Sequence, residues 1–343
     1  MKKIWASVMI AVLGFGVGLS SWATPRKTEH PLRSIPQQAP APIRVTAPEV
    51  MVDVVVTDDE GGFVTGLKKE NFRIAQDGVR QSITSFEQSQ APLTTVLLVE
   101  YNRLAEGWFL ENAKSWGATF LRQLEPKDWV ALSSFAMRPK VEVDFTHSRP
   151  DIEQGLASLI YPGFTEANLF DAIGDTLGRL ERVKGKKSIV ILASGLNTFS
   201  QVSLDEVLNQ ARASNVAIYS VGTAEPYFMQ QEMRGGGTTM TYYEAQRNLR
   251  AFTEATGGKS WFPRFEGEIP GIMSDIAARL RNQYSLTFTP GSQSLDGKFH
   301  KIKVELLAAN GSPLTSIDQN GKQRKVRVYA RQGYVALQSD FKD

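Results

Sequence analysis

The chain has 343 residues, 42% of them hydrophobic and 22% charged, with a net charge of +3 and no cysteine. This is length for roughly two domains of about 150 residues each, with ample core material. The small positive charge, free of long Lys/Arg blocks, excludes a nucleic-acid footprint, and the lack of cysteine excludes disulfides, thiol catalysis and a lipidated N-terminal cysteine.

The N-terminus reads as an export signal. Lys2 and Lys3 precede an uncharged apolar run, Ile4 to Leu19, and Ser21-Trp22-Ala23 supplies small residues at a cleavage site. The run is shorter than the ~20 residues a membrane span needs, which favours cleavage over an uncleaved anchor. Residues 1–23 are therefore expected to be removed, leaving a secreted, periplasmic or envelope protein that starts at Thr24. Residues 24–43, rich in Pro, Gln and charge, read as a disordered linker. No later stretch is apolar enough to span a membrane.

Residues 44–91 read as strands. Val52, Val54 and Val56 alternate, Asp58 to Gly62 makes an acidic turn, and Asp77-Gly78 signals a hairpin whose return strand runs from Gln81 to Phe86. The acidic turn lacks the ligand spacing of a calcium loop and is read as a plain hairpin tip.

From residue 92 to 282 strands and helices alternate. Thr94–Val99 is followed by helical spacing at Phe109, Ala113, Trp116, Phe120 and Leu124. Strands 129–135 and 141–145 precede a helix capped by Ser148, with Pro150 in its first turn. Leu169, Ile173, Leu177 and Leu180 mark the next helix. Strand 188–193 has the unbroken apolar character of a buried parallel strand. Lys184 to Lys187 before it is read as a solvated turn. Ser203 and Glu206 form a capping box, strand 216–221 follows, and a helix through Leu249 and Phe252 stops at Gly257-Gly258. A last helix carries Ile269, Ile272, Ile276 and Leu280. This pattern predicts a doubly wound, mostly parallel α/β sheet. Residues 283–337 return to β character with turns at Asp296-Gly297, Asn310-Gly311 and Asn320-Gly321, and 338–343 form a tail. Neither β segment makes a comfortable core alone, so the two are expected to pair into one β-sandwich with the α/β domain inserted between them.

In an open parallel sheet, ligands meet loops beyond the carboxyl ends of the strands. Three polar loops qualify: Glu100-Tyr101-Asn102, Gly163 to Asn168, and Ser194 to Thr198. Together they nominate Glu100, Tyr101, Asn102, Thr165, Glu166, Asn168, Ser194 and Asn197 as binding residues. Asp171, near a helix start, is assigned to the helix N-terminus. His30, His147 and His300 are far from Ser194, which argues against a catalytic triad. Tyr227, Phe228, Tyr242 and Tyr243 flank a Gly-rich stretch and mark a candidate partner-contacting segment, while Trp108 is read as core.

Several segments together resemble a von Willebrand factor A domain, in a bacterial, acidobacterial-type group of secreted relatives. They are Val54 to Asp58 with Gly66-Leu67 and Asn71-Phe72, Asp77-Gly78 with Phe86, Asn168 to Ile173, Ala255-Thr256-Gly257-Gly258, Gln283 to Leu286, and Arg331 to Tyr334. The resemblance implies a Rossmann-like domain that binds proteins, often through Mg²⁺ held by Asp-x-Ser-x-Ser, a Thr and an Asp on three loops. Here Glu100 stands for the first Asp, Asn102 and Leu104 replace the two serines, Ala167 falls at the Thr, and Ser194 at the last Asp. A longer carboxylate and missing oxygens suit the tight octahedron of Mg²⁺ poorly.

The leading expectation is an exported, non-enzymatic adhesion-type module that binds a protein or surface polymer with this loop face and holds no tightly bound metal. One alternative restores weak Mg²⁺ or Ca²⁺ through Glu100, Asn102, Thr165 and Glu166. A second is a hydrolase using Glu100 and Glu166, which requires them about 5–9.5 Å apart in a cleft. A third is a purely structural envelope component.

Overall fold

The computed structural model describes residues 49–88, 91–102, 110–160, 165–225, 228, 239–291, 296–317 and 321–336. The signal peptide, linker, tail, Leu104, Trp108, Phe109, Gly163, Phe164, Tyr227 and the Gly-rich stretch lie outside these residues.

The chain opens with β1 (Val50–Asp58), β2 (Phe72–Gln76), β3 (Val79–Gln81) and β4 (Ile83–Gln88). It then enters β5 (Leu93–Glu100), α1 (Leu110–Gln123), β6 (Trp129–Phe135), β7 (Pro139–Thr146), α2 (Arg149–Ala157), α3 (Leu169–Glu181) and β8 (Lys186–Ala193). Next come α4 (Leu204–Ala213), β9 (Val216–Gly222), α5 (Thr239–Thr256), β10 (Ser260–Trp261) and α6 (Ile269–Arg281). The last strands are β11 (Gln283–Phe288), β12 (Phe299–Leu306), β13 (Thr315–Ile317), β14 (Gln323–Ala330) and β15 (Gly333–Val335).

The caps written in the sequence operate as expected. The Ser148 hydroxyl accepts from the Asp151 N–H at the start of α2, and Ser203 and Glu206 close a reciprocal box on α4. Asp77 and Gly78 both take positive φ, as a two-residue hairpin turn between β2 and β3 demands. Asp58 accepts from the Glu60 and Gly62 N–H groups, so the acidic segment is a turn stabilised by its own side chain.

Six strands form the central sheet, in the order β10-β9-β8-β5-β6-β7. All its pairings are parallel except β6 with β7. β5 lies in the middle and every one of its residues is buried. One face packs on α1, α2 and α6 through Trp116, Phe120, Leu156, Ile272 and Ile276. The other packs on α3, α4 and α5 through Ile173, Leu177, Val207, Leu249 and Phe252. After β5 the chain adds β6 on one side and later β8 on the other, so the strand order reverses at the C-terminal end of β5.

The flanking strands build two further sheets, β13-β14-β1-β11-β4 and β15-β12-β2-β3. Val52, Val54, Phe72, Ile74, Leu286, Ile302 and Tyr334 share one core cluster across them. The Tyr284 hydroxyl donates to the Val64 carbonyl and accepts from the Leu67 N–H, which fastens the segment after β1 to β11.

Two expectations are corrected. The return strand from Gln81 to Phe86 is divided: β3 pairs with β2, while β4 joins β11 in the other sheet. A hairpin signal sets the turn but not how far the returning strand stays with its partner. Lys186 and Lys187 begin β8 instead of a solvated turn. Lys186 is buried because β11 starts beside it, and its ammonium donates to Gln283 Oε1 at 3.1 Å.

Candidate functional site

The three polar loops do converge at the C-terminal end of β5. Glu100 ends that strand with only 3% of its surface exposed. Its two carboxylate oxygens accept from the Ser194 N–H at 2.7 Å, from the Ser194 hydroxyl at 2.8 and 2.9 Å, and from the Asn102 amide at 2.8 Å. The same Asn102 nitrogen donates to the Thr165 carbonyl at 2.9 Å. One carboxylate and one amide therefore tie the loops after β5, before α3 and after β8 into a single brace.

No cation is among these partners of Glu100. Burial pushes its carboxyl up to about 7, against the opposing pull of the bonds from Ser194 and Asn102.

A second clasp lies beside the brace. Asn168 is buried just before α3; its amide donates to the Met137 carbonyl at 2.9 Å and its oxygen accepts from the Phe199 N–H at 3.0 Å. Asn197 Oδ1 accepts from the Phe170 N–H at 3.2 Å and the Ser200 hydroxyl at 2.5 Å. The side chains held in place are apolar and outward: Phe199 is 59% exposed and Met137 42%. Gly195 lets the loop after β8 lie flat. Its φ is +86°, and a Cβ there would stand 2.3 Å from the Ala245 carbonyl oxygen of α5.

The nominated residues thus fall into two groups. Glu100, Tyr101, Asn102, Asn168 and Ser194 are buried, so their side chains hold the loops together instead of facing a partner. Thr165 is exposed, and Glu166 and Asn197 are half-buried. Asp171 lies in the first turn of α3, and its carboxylate accepts from the Gln201 and Val202 N–H groups, tying α3 to the segment before α4. Of the aromatic set, Phe228 is buried against Tyr242, and Tyr243 is exposed. Met137 and Phe199 were missed by sequence reasoning. The available signal was an apolar residue inside each of two polar turns.

The donor set does not fit the divalent cation that the resemblance implies. Both Glu100 oxygens are already engaged, and Asn102 turns a nitrogen donor, not an oxygen, toward them. Glu166 folds back to accept from the Thr165 N–H at 3.0 Å, and Ala167 contributes no oxygen from its side chain. Among the described residues no group of three or more carboxylate or imidazole side chains is arranged to hold a metal ion. The Ser194 hydroxyl is committed to Glu100 and the Leu196 N–H, whereas His147 sits against Trp129 at the other end of β6 and His300 on β12.

A doubly wound α/β domain with a polar loop rim at its switch point defines a ligand-docking module. Residues 106–254 match the model of the von Willebrand factor type A domain family. No curated protein matches the chain. Similar solved structures include an aerotolerance-related membrane protein from Bacteroides fragilis, at 14% identity over 55% of this chain and 100% of that one, with a TM-score of 0.41. A von Willebrand factor type A structure from Catenulispora acidiphila is 8% identical over 87% of this chain and 76% of that one, with a TM-score of 0.45. Proximal thread matrix protein 1 of the mussel byssus, with a zinc-occupied MIDAS motif, is 14% identical over 59% and 48%, with a TM-score of 0.42.

Proposed function

We propose that this chain is an exported, non-enzymatic interaction protein. Its von Willebrand factor A domain is set into a β-sandwich built from the two flanking β segments. It docks a protein partner through the loop rim without a tightly held divalent cation. The observation that carries this reading is the Asn168 clasp, whose one amide fixes the backbones of exposed Met137 and Phe199 beside a brace whose carboxylate is already hydrogen-bonded. Apolar side chains on a rigid polar frame are what a docking face needs, because little ordering entropy is then lost on binding. Interaction is also the usual work of domains of this family. Export rests on the N-terminal sequence; among the described residues no helix is long and apolar enough to cross a membrane. The non-enzymatic reading is supported by the commitments of Glu100 and Ser194, which leave neither a paired acid and base nor an activated nucleophile.

Photocross-linking in the producing cells tests the reading, with benzoylphenylalanine at position 199. A discrete adduct that survives chelator and disappears in Asn168→Ala is expected. An adduct abolished by chelator, or one indifferent to Asn168, would refute it.

A further inference from the structure

Beside the rim, between the end of β6 and the end of α2, lies a cleft of about 550 Å³. That volume falls in the range of sites that enclose a compact ligand group. Its floor includes the ring of Tyr101, whose hydroxyl donates to the Leu159 carbonyl at 2.8 Å. Met137 and Ile160 line it as well, and Ile160 is 87% exposed, so the cleft carries two solvent-facing apolar side chains.

The charge around the mouth is one-sided. Arg138, Lys140 and Glu142 line it, and Glu142 is the only carboxylate. Glu142 is engaged by the Lys140 ammonium at 2.7 Å and the Ser134 hydroxyl at 2.6 Å. That pair cancels, which leaves exposed Arg138 as the uncompensated charge, with no carboxylate partner among the described residues. The cleft also adjoins an open edge. β7 ends the six-stranded sheet, and no described strand pairs with its outer side. An extended segment can add main-chain hydrogen bonds to such an edge while seating alternate side chains in a pocket.

We propose that this cleft receives an extended segment of a partner protein, with an apolar side chain between Met137 and Ile160 and a carboxylate two residues along, on the same face, meeting Arg138. The charge complementarity selects this occupant: a basic segment would be repelled, and a neutral one would leave the guanidinium unanswered. The proposal rests on the docking reading of the rim, because Met137 belongs to both surfaces.

The probe is a fluorescein-labelled, end-blocked hexapeptide, Thr-Val-Leu-Thr-Asp-Val, whose leucine and aspartate share one face, titrated into the mature chain and followed by polarisation and by methyl NMR of Met and Ile. Saturable binding is expected, with methyl shifts at Met137 and Ile160. Replacing the peptide's leucine by serine or its aspartate by asparagine should weaken binding at least about tenfold, as should Arg138→Glu or Ile160→Asp in the protein. These protein positions are exposed, so the variants should fold.

Equal affinity for the asparagine peptide, indifference to Arg138→Glu, or no saturation at millimolar peptide would overturn the proposal. So would sedimentation showing that the chain self-associates and that Ile160→Asp abolishes it, which would make a second copy the occupant. Asn168→Ala, with the cross-linker kept at position 199, separates the two readings. If it removes the in-cell adduct while Arg138→Glu leaves that adduct intact, the rim reading stands and the cleft proposal falls.

Discussion

Strand β5 runs between two buried carboxylates that are held in opposite ways. At its N-terminal end Asp128 accepts from the Leu93 N–H at 2.9 Å and the Glu125 N–H at 2.7 Å, and pairs with the Arg281 guanidinium of α6. At its C-terminal end Glu100 accepts only from the neutral donors of Ser194 and Asn102. Both sites satisfy their lone pairs, but only one supplies a countercharge. A compensated carboxylate makes a fixed anchor, and it sits where β5 and β6 begin. An uncompensated one stays sensitive to its proton, and it sits beneath the loops of the rim.

Breaking the anchor should have the largest effect. Arg281→Met leaves the fully buried Asp128 carboxylate site without its cation and should cost about 4 kcal/mol in urea unfolding. A loss below about 1 kcal/mol would remove the contrast between the two ends.

The rim carboxylate should reveal itself through pH. The Glu100 carboxyl is raised from 4.5 to about 7, so the folded protein binds this proton more tightly than the unfolded chain. Its contribution is full below pH 4.5 and is lost as pH rises through about 7. The wild type should therefore lose up to about 3 kcal/mol relative to Glu100→Gln across that window. Parallel stability curves would show that the brace is not titrating.

Asn168→Ala should cost about 2 kcal/mol, because the Met137 carbonyl and the Phe199 N–H, in part-buried bonds, each lose their partner. Its cost to partner binding should exceed that of Met137→Ala, since the clasp positions both outward side chains. Equal losses would mean that Asn168 serves stability alone.

The smallest effect belongs to the outer sheets. His300 is held between Asp77 at 2.7 Å and Asp296 at 3.0 Å, and the Asp77 bond, with that of Asp296, raises its pKa. Tyr334 is the other titratable group facing the ring. Stability from this contact is full below the unfolded value of 6.5 and is lost as pH rises through the raised one. His300→Gln should cost about 0.5 kcal/mol at acidic pH, as expected for a partly exposed pair. Its pH window overlaps the upper end of that of Glu100 and has the same sign, so the double variant should depend on pH less steeply than either single variant.

Much of the α/β framework could be read from local signals. Apolar spacing located α3 and α6, and Ser148 and the Ser203–Glu206 box marked where α2 and α4 start. The rim could also be anticipated, since loops after parallel strands must emerge on one edge. What could not be read was the direction each polar side chain takes there. Glu100 and Asn102 have the composition of a surface ligand set, and they turn inward because Ser194 and the Thr165 carbonyl stand close enough to satisfy them. Lys186 is buried for a comparable reason, as Gln283 meets it from β11.

By itself, the sequence determined the elements and their order, because helix and strand periodicities and caps act over a few residues. Only the tertiary structure decided that Glu100 is a brace while Met137 and Phe199 face outward. Burial and hydrogen-bond satisfaction depend on which distant segments arrive at the same edge, and no local pattern encodes that meeting.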